Sequence, residues 1–322
     1  MKKKYKAIVI GAGKIGGQFD FPNANKVLTH AHAYTKHPKI EFLGFVDCNL
    51  QIAKKIAKRW NVNYYAELDN VFTTYAPDIV SICTPNETHF DLLVKLSDYK
   101  PKIVICEKPI TTSLADTSHV IALYKKFNIP LLVNYTRRFL IEVQRLKEHI
   151  DLNAYGKILC ASGIYNKGIL HNGSHMIDLC RHLFGEVKNF IPLHHHADYS
   201  HDDKTISGFL QFDKCKQFFL QTGDSNKYSI FELDILFEKR RVKFIDSDYK
   251  MKYQVVKQDG IFKKYATLGK ENTVLALKDP LYNLVVNAID YLENKDMLKC
   301  DVEEAFETQK ICVDIKNAVI QD

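Results

Sequence analysis

Lys6-Ala7-Ile8-Val9-Ile10-Gly11-Ala12-Gly13-Lys14-Ile15-Gly16-Gly17 is an apolar run that ends abruptly in glycines. Ala7 to Ile10 reads as a buried parallel strand. Gly11, Gly13 and Gly16 then follow the G-x-G-x-x-G spacing. The first glycine makes the tight turn, the second admits a pyrophosphate close to the backbone, and the third lets helix and strand pack closely. A helix opening here would aim free N–H groups and the positive end of its dipole at phosphates. Taken alone the motif is weak, and a plain glycine-rich turn is the alternative.

At 322 residues the chain is long for one core, which predicts two domains. Hydrophobic residues at 46% and charged residues at 26% exclude disordered and collagen-like classes. The net charge of +7 is spread as lysine along the chain, with no arginine-rich run, so no nucleic-acid partner is expected. Eight cysteines stand far apart, mostly within apolar runs and without a C-x-x-C pair, which suits reduced structural thiols. Met1 to Lys4 and the apolar run after them imitate a signal peptide, but the run is short and leads into Gly13-Lys14. No stretch reaches the length of a membrane span, and a cytoplasmic location is the expectation.

Outward from the glycines, Gln18 to Thr29 is polar, carries Pro22, and reads as an inserted loop. A helix resumes near Thr29, which suits a cap, and stops at His37-Pro38. The strand Ile40 to Val46 ends in Asp47. A carboxylate there accepts both adenosine ribose hydroxyls and repels a 2′-phosphate, favouring NAD over NADP; a helix N-cap for Leu50 to Trp60 is the other role open to it. Further strands at 78–83, 102–106 and 130–135, with helices at 89–96 and 113–127, continue a βαβ alternation that predicts a doubly wound parallel sheet. Thr84-Pro85-Asn86-Glu87-Thr88-His89 and Glu107-Lys108-Pro109 fall at carboxyl ends of strands, where such a sheet meets its ligand. A surface ion pair is the alternative for Glu107 and Lys108.

From Arg137 the pattern changes. Residues 1–136 are expected to form one domain and 137–322 a second, an α/β domain whose strands at 157–165, 187–196, 205–212, 217–222, 230–237 and 241–245 build a large, mostly antiparallel open sheet. Helices are expected at 139–150, 174–184, 281–292 and 302–320. His171, His175, Asp178 and His182 follow one another at helical spacing and are expected on one face. A histidine titrates near neutrality, so one beside a hydroxyl-bearing carbon can take its proton as hydride leaves. Two histidines four apart could equally hold zinc, yet no third ligand follows at metal spacing and no metal is expected. A hydrogen-bonded polar helix face remains the third possibility.

Taken in order, GAGKIG, Asp47, CTPNETH at 83–89, EKP at 107–109, NYTRRF at 134–139 and the G-x-H-x-x-D of Gly173 to Asp178 resemble the Gfo/Idh/MocA oxidoreductase family. The resemblance implies an N-terminal Rossmann domain and a C-terminal α/β domain whose open sheet makes homodimers or homotetramers. It implies hydride transfer between NAD or NADP and a hydroxyl of a sugar, cyclitol or nucleotide sugar. Carried over by position, Lys108 contacts nicotinamide and the reacting oxygen, and His175, with His171, moves the proton. Cofactor contacts fall to Gly11, Gly13, Lys14, Ile15, Gly16, Asp47, Cys83, Thr84, Pro85, Asn86, His89, Glu107 and Lys108. Substrate contacts fall to Arg137, Tyr165, Asn172 and Asp178. The sequence departs from the family pattern at His171, where many members have aspartate, and in the insertion Gln18 to Thr29. A sugar–sugar oxidoreductase with a retained nucleotide, or an NAD-binding regulator without turnover, are the alternatives; Lys108 and His175 argue against the regulator.

Overall fold

In the computed structural model, which describes residues 4–247, 250–275 and 278–319, the chain forms two compact units. One is Met1–Phe139 with Asp279–Glu307, the other Leu140–Lys278 with Thr308–Asp322.

The first unit contains strands β1 (Tyr5–Ile10), β2 (Ile40–Val46), β3 (Asn63–Tyr65), β4 (Ile79–Ile82), β5 (Ile103–Cys106) and β6 (Leu131–Val133). They pair in parallel in the order β3-β2-β1-β4-β5-β6, the doubly wound arrangement in which the strand order reverses beside β1. Every residue of β4, β5 and β6 is buried, which is why these strands read as near-continuous apolar runs, with Ser81 the one polar member, rather than alternating ones. Helices α1 (His30–Lys36), α2 (Leu50–Trp60), α3 (Leu68–Tyr75), α4 (His89–Tyr99) and α5 (Leu114–Phe127) connect them. Local chemistry sets their starts: Asn49 accepts the Ile52 N–H at 3.1 Å to cap α2, and Ser113 accepts the Asp116 N–H at 3.0 Å to cap α5. Helix α3 was not expected, although Leu68, Val71, Phe72 and Tyr75 carry the i, i+3, i+4, i+7 signal of an amphipathic helix.

The two units divide the chain differently from the expected 1–136 and 137–322, with residues 279–307 in the first. Helix α8 (Pro280–Leu292) turns Leu281, Leu284, Val285, Ala288 and Ile289 into the core of the first unit. The Val133 N–H donates to the Cys300 carbonyl at 2.9 Å, so the chain returns to β6 through its backbone as well.

The second unit holds α6 (Ile141–Asp151), α7 (Ser174–Phe184) and the strands β7 (Ile158–Tyr165), β8 (Val187–His196), β9 (Thr205–Phe212), β10 (Phe218–Thr222), β11 (Phe231–Phe237), β12 (Arg240–Ile245), β13 (Lys250–Gln258), β14 (Ala266–Leu268) and β15 (Asn272–Leu275). Among the described residues they form a nine-stranded sheet, mostly antiparallel, with β10 and β7 parallel. Burial alternates strictly along β11, so Phe231, Leu233, Ile235 and Phe237 face a core shared with Met176, Leu183 and Phe184 of α7 and with Cys312 and Ile315 of α9 (Val302–Ala318). Each such buried Leu, Ile or Phe contributes roughly 1.5–3 kcal/mol. Strands β13 to β15 were not anticipated, because their polar alternation is weak.

The insertion Gln18 to Thr29 is fastened by Asp20, which is nearly fully buried. Its carboxylate accepts the Leu28 N–H at 2.6 Å and the Thr29 hydroxyl at 2.5 Å, and lies 2.8 Å from His32 Nδ1. Thr29 also accepts the His32 N–H at 3.1 Å and caps α1 as expected. Thr29→Ala removes both roles and should cost roughly 1–2 kcal/mol of stability in urea unfolding, with Thr29→Ser recovering most of it; a loss of only a few tenths would show that the cap does not hold α1.

Candidate functional site

At the carboxyl ends of β1, β2 and β4 the first unit opens a cleft of about 560 Å³, lined by Gly11, Gly13, Asp47, Cys48, Leu68 and Thr84 among others. Its floor is the glycine turn. Gly11 has φ +95°, and a Cβ there would meet the Cys83 carbonyl oxygen at 2.7 Å. A Cβ at Gly16 would stand 2.1 Å from the Gly11 oxygen, so the segment after the turn packs directly on the turn itself. Gly13 differs: a Cβ there has no protein atom within 4 Å, and its φ of −76° suits any residue. The chain's own packing therefore gives no reason for glycine at 13. A group that approaches this backbone closely from the cleft does, and a dinucleotide pyrophosphate fits that requirement.

The helix expected to open at Gly13 is only a five-residue π-turn, Lys14–Gln18, with no side chain capping its start. Polar Gln18 to Thr29, with Pro22, cuts the helix short, so the macrodipole invoked from the sequence is absent and turn amides alone face an anion. In that turn Lys14 is exposed and Ile15 half-buried.

Asp47 closes one side of the cleft. Its Oδ2 accepts the Ala12 N–H at 2.8 Å and its Oδ1 the Asn49 N–H at 2.8 Å. The capping role considered for it belongs to Asn49. Asp47 instead holds a carboxylate against the glycine turn, where ribose hydroxyls would meet it.

Across the cleft, Cys83 is buried, and burial pushes its thiol well above the usual range. Thr84 accepts the Thr88 hydroxyl at 2.7 Å, and Pro85 and Asn86 are exposed beside it. His89 is completely buried: Nε2 lies 3.1 Å from the Thr84 carbonyl and Nδ1 2.8 Å from the Pro109 carbonyl. It braces two loops of the carboxyl edge. The peptide between Lys108 and Pro109 is cis, and both Glu107 and Lys108 are half-buried at the end of β5. Glu107 Oε1 lies 2.9 Å from His30 Nε2 and accepts the Asn134 amide at 2.7 Å. The part played by His30, Tyr34 and Ser81 behind Glu107 was missed. The available signal was a histidine at the start of a short helix whose next residues, Ala31, Ala33 and Tyr34, are apolar and buried.

In the second unit, His171 is exposed on a π-turn, Gly168–Gly173. Asp203 accepts the N–H groups of Leu170 and His171 at 2.8 Å each, and the His171 ring stacks on Tyr199 with centroids 4.8 Å apart. The wider turn before Ser174 breaks the single face expected for His171, His175, Asp178 and His182. His175 is half-buried on α7, and His182 lies 3.1 Å from the Gln144 amide nitrogen. Asp178 is buried and accepts the Thr308 hydroxyl at 3.2 Å, while Thr308 accepts Arg181 Nη1 at 2.8 Å. Tyr165, expected to touch substrate, has a fully buried ring whose hydroxyl both donates to the Ile206 carbonyl at 2.8 Å and accepts the Ile206 N–H at 2.9 Å. Asn172 and Arg137 are half-buried in their turns. Among the described residues no three His, Cys, Asp or Glu groups converge as a metal site, and no helix is long and apolar enough to cross a membrane.

A parallel sheet with this strand order, a glycine turn at its switch point and a carboxylate after the second strand define a Rossmann fold. Residues 5–135 match the sequence model of an oxidoreductase family with an NAD-binding Rossmann fold. That family is Gfo/Idh/MocA, matched over these residues. Among curated proteins it is 23% identical over 188 residues to a D-glucoside 3-dehydrogenase of Escherichia coli, covering 54% of this chain and 50% of that protein. The chain thus spans about half the length of the curated relatives it matches. Two solved structures share the fold across both units. A UDP-N-acetylglucosamine 3-dehydrogenase of Acidithiobacillus ferrooxidans has a TM-score of 0.77 at 17% identity, covering 97% of either chain. The WlbA dehydrogenase of Bordetella pertussis, in complex with NADH and UDP-GlcNAcA, has a TM-score of 0.77 at 13% identity, covering 99% of this chain and 96% of that one.

The three glycines predict different phenotypes. Gly16→Ala should cost roughly 1–3 kcal/mol or more, because its Cβ meets backbone. Gly13→Ala should leave stability unchanged or raise it by up to about 1 kcal/mol, yet weaken NAD binding at least tenfold. Chemical unfolding and calorimetric titration of the two variants check this; a Gly13→Ala protein that binds NAD as wild type does would remove the pyrophosphate from that position.

Proposed function

We propose that this protein is an NAD-dependent dehydrogenase or reductase that moves hydride between nicotinamide and a hydroxyl or keto carbon of a sugar or sugar derivative, nucleotide-linked sugars included. The observation that carries the reading is the Asp47 carboxylate held against a glycine turn whose second glycine faces open cleft. Asp47 accepts ribose hydroxyls and, with Cys48 and Asn49 as neighbours, offers no cation for a 2′-phosphate. A nicotinamide bound in the cleft would supply the hydride chemistry. Lys108, at the end of β5, stabilises the alkoxide that develops on the reacting oxygen. His175, with His171, takes the hydroxyl proton during oxidation and returns it during reduction. Arg137, Asn172 and Asp178 are assigned to substrate by resemblance alone, with Asp178 acting from a buried position. The names of the relatives, a glucoside and a UDP-N-acetylglucosamine dehydrogenase, support sugar chemistry. Exposed Ile191, Leu193 and Phe219 on the open sheet support a homodimer or homotetramer formed through that face, and the cytoplasm suits a nicotinamide enzyme.

The reading is tested by incubating the protein with NAD and a panel of free and nucleotide-linked sugars and following NADH absorbance. With an active sugar in hand, Lys108→Ala should lower kcat by about 10²-fold while NAD affinity changes little. His175→Ala should lower turnover by a comparable factor. Turnover with no sugar, although NAD binds, would favour a regulator; near-normal kcat in Lys108→Ala would remove that lysine from the chemistry.

A further inference from the structure

Behind Glu107 a hydrogen-bonded chain runs into the core of the first unit. Glu107 Oε1 lies 2.9 Å from His30 Nε2, His30 Nδ1 lies 2.9 Å from Ser81 Oγ, and Ser81 Oγ lies 2.5 Å from the Tyr34 hydroxyl. His30, Ser81 and Tyr34 are all completely buried. Distances alone do not say which way the protons point, but the end of the chain does. Among the described residues the Tyr34 hydroxyl has Ser81 Oγ as its one hydrogen-bond partner. Burial pushes this phenol well above its ordinary value, so it keeps its proton and must donate it. Ser81 therefore accepts from Tyr34 and donates its own proton onward to His30 Nδ1. An Nδ1 that accepts leaves the ring proton on Nε2, directed at Glu107. The reverse order, with a proton on Nδ1, would leave one buried hydroxyl proton, that of Ser81 or that of Tyr34, with no acceptor among the described residues, which is costly.

The same logic orients the other donor to Glu107. Asn134 Oδ1 accepts the Thr136 hydroxyl at 3.3 Å, which turns the amide nitrogen toward Glu107 Oε1 at 2.7 Å. Two N–H donors thus converge on Oε1, while Oε2 makes no hydrogen bond among the described residues.

We propose that His30 is a positioning residue: the Tyr34–Ser81 hydroxyl pair holds its ring with the proton on Nε2, His30 and Asn134 together fix Oε1 of Glu107, and Oε2 is thereby presented to the bound dinucleotide. The part concerning Oε2 rests on the dinucleotide reading of the site; the tautomer does not. The arrangement explains why a histidine stands at the buried start of a short helix. It also ties the placement of α1, set by the Thr29 cap, to the charged pair at the end of β5.

The tautomer is read in ¹⁵N-histidine-labelled protein without dinucleotide, with His30 assigned by the loss of its signals in His30→Gln. A proton on Nε2 and a bare Nδ1 are expected. A ring protonated on Nδ1, alone or together with Nε2, overturns the proposed direction of the chain. Positioning is read by calorimetric titration with NAD. His30→Ala should weaken binding by about tenfold or more, and His30→Gln, whose amide N–H can donate to Oε1, should recover most of the loss. An alanine variant that binds as wild type does, or a glutamine variant as weak as the alanine one, overturns the positioning role. A wild-type protein that binds no dinucleotide refutes the reading of the cleft and the role of Oε2 together, while the tautomer still stands or falls on the spectrum.

Discussion

The constraint on which the first unit depends is a backbone contact that no side chain can enter. Where β1 ends, Gly11 turns the chain so tightly under the Cys83 carbonyl, and Gly16 returns so close to the Gly11 oxygen, that a single carbon added at either position collides with main chain. Main chain cannot move aside as a long side chain can, so this geometry fixes the turn and the start of the next segment. The Ala12 N–H is then held by Asp47 from the end of β2. Strand order does the rest: β1 lies between β2 and β4, and the cleft opens where their carboxyl ends diverge.

The insertion Gln18 to Thr29 shows how such a turn tolerates an interruption. A dinucleotide fold ordinarily runs from the glycines straight into a helix, and here the helix is delayed until His30. The detour is held from both ends. Arg59 Nη1 donates to the Gln18 and Asp20 carbonyls at 3.0 and 3.2 Å, Trp60 Nε1 donates to the Gly17 carbonyl at 2.9 Å, and the Asp20 carboxylate gathers Leu28, Thr29 and His32. With these partners the chain loses the dipole of a long first helix but gains a short one placed so that His30 reaches Ser81 and Glu107.

Most of the first unit was legible because its signals are local. The glycine spacing, the mainly apolar strands at 79–82 and 103–106, and the cap at Thr29 each state their structure within a few residues. What escaped depends on distant partners. Asn49 rather than Asp47 caps α2 because Asp47 is drawn to Ala12, 35 residues away in sequence. Tyr165 lies at the end of a strand, where a substrate contact is plausible, and only the register of β9 puts Ile206 against its hydroxyl. The spacing of His171, His175, Asp178 and His182 assumed uninterrupted α-helix, and the π-turn Gly168–Gly173, held by Asp203, breaks that assumption. Residues 279–307 join the first unit because the apolar stripe of α8 matches a core formed by strands that precede it by more than a hundred residues.

The central claim is that the cleft beside Gly13 and Asp47 holds NAD, and calorimetric titration of the intact protein with NAD and NADP in parallel tests it most directly. The account predicts saturable binding of one NAD per chain and clearly weaker binding of NADP, because a 2′-phosphate would meet the Asp47 carboxylate with no cation beside it. Equal or tighter binding of NADP, or binding of neither, would contradict it.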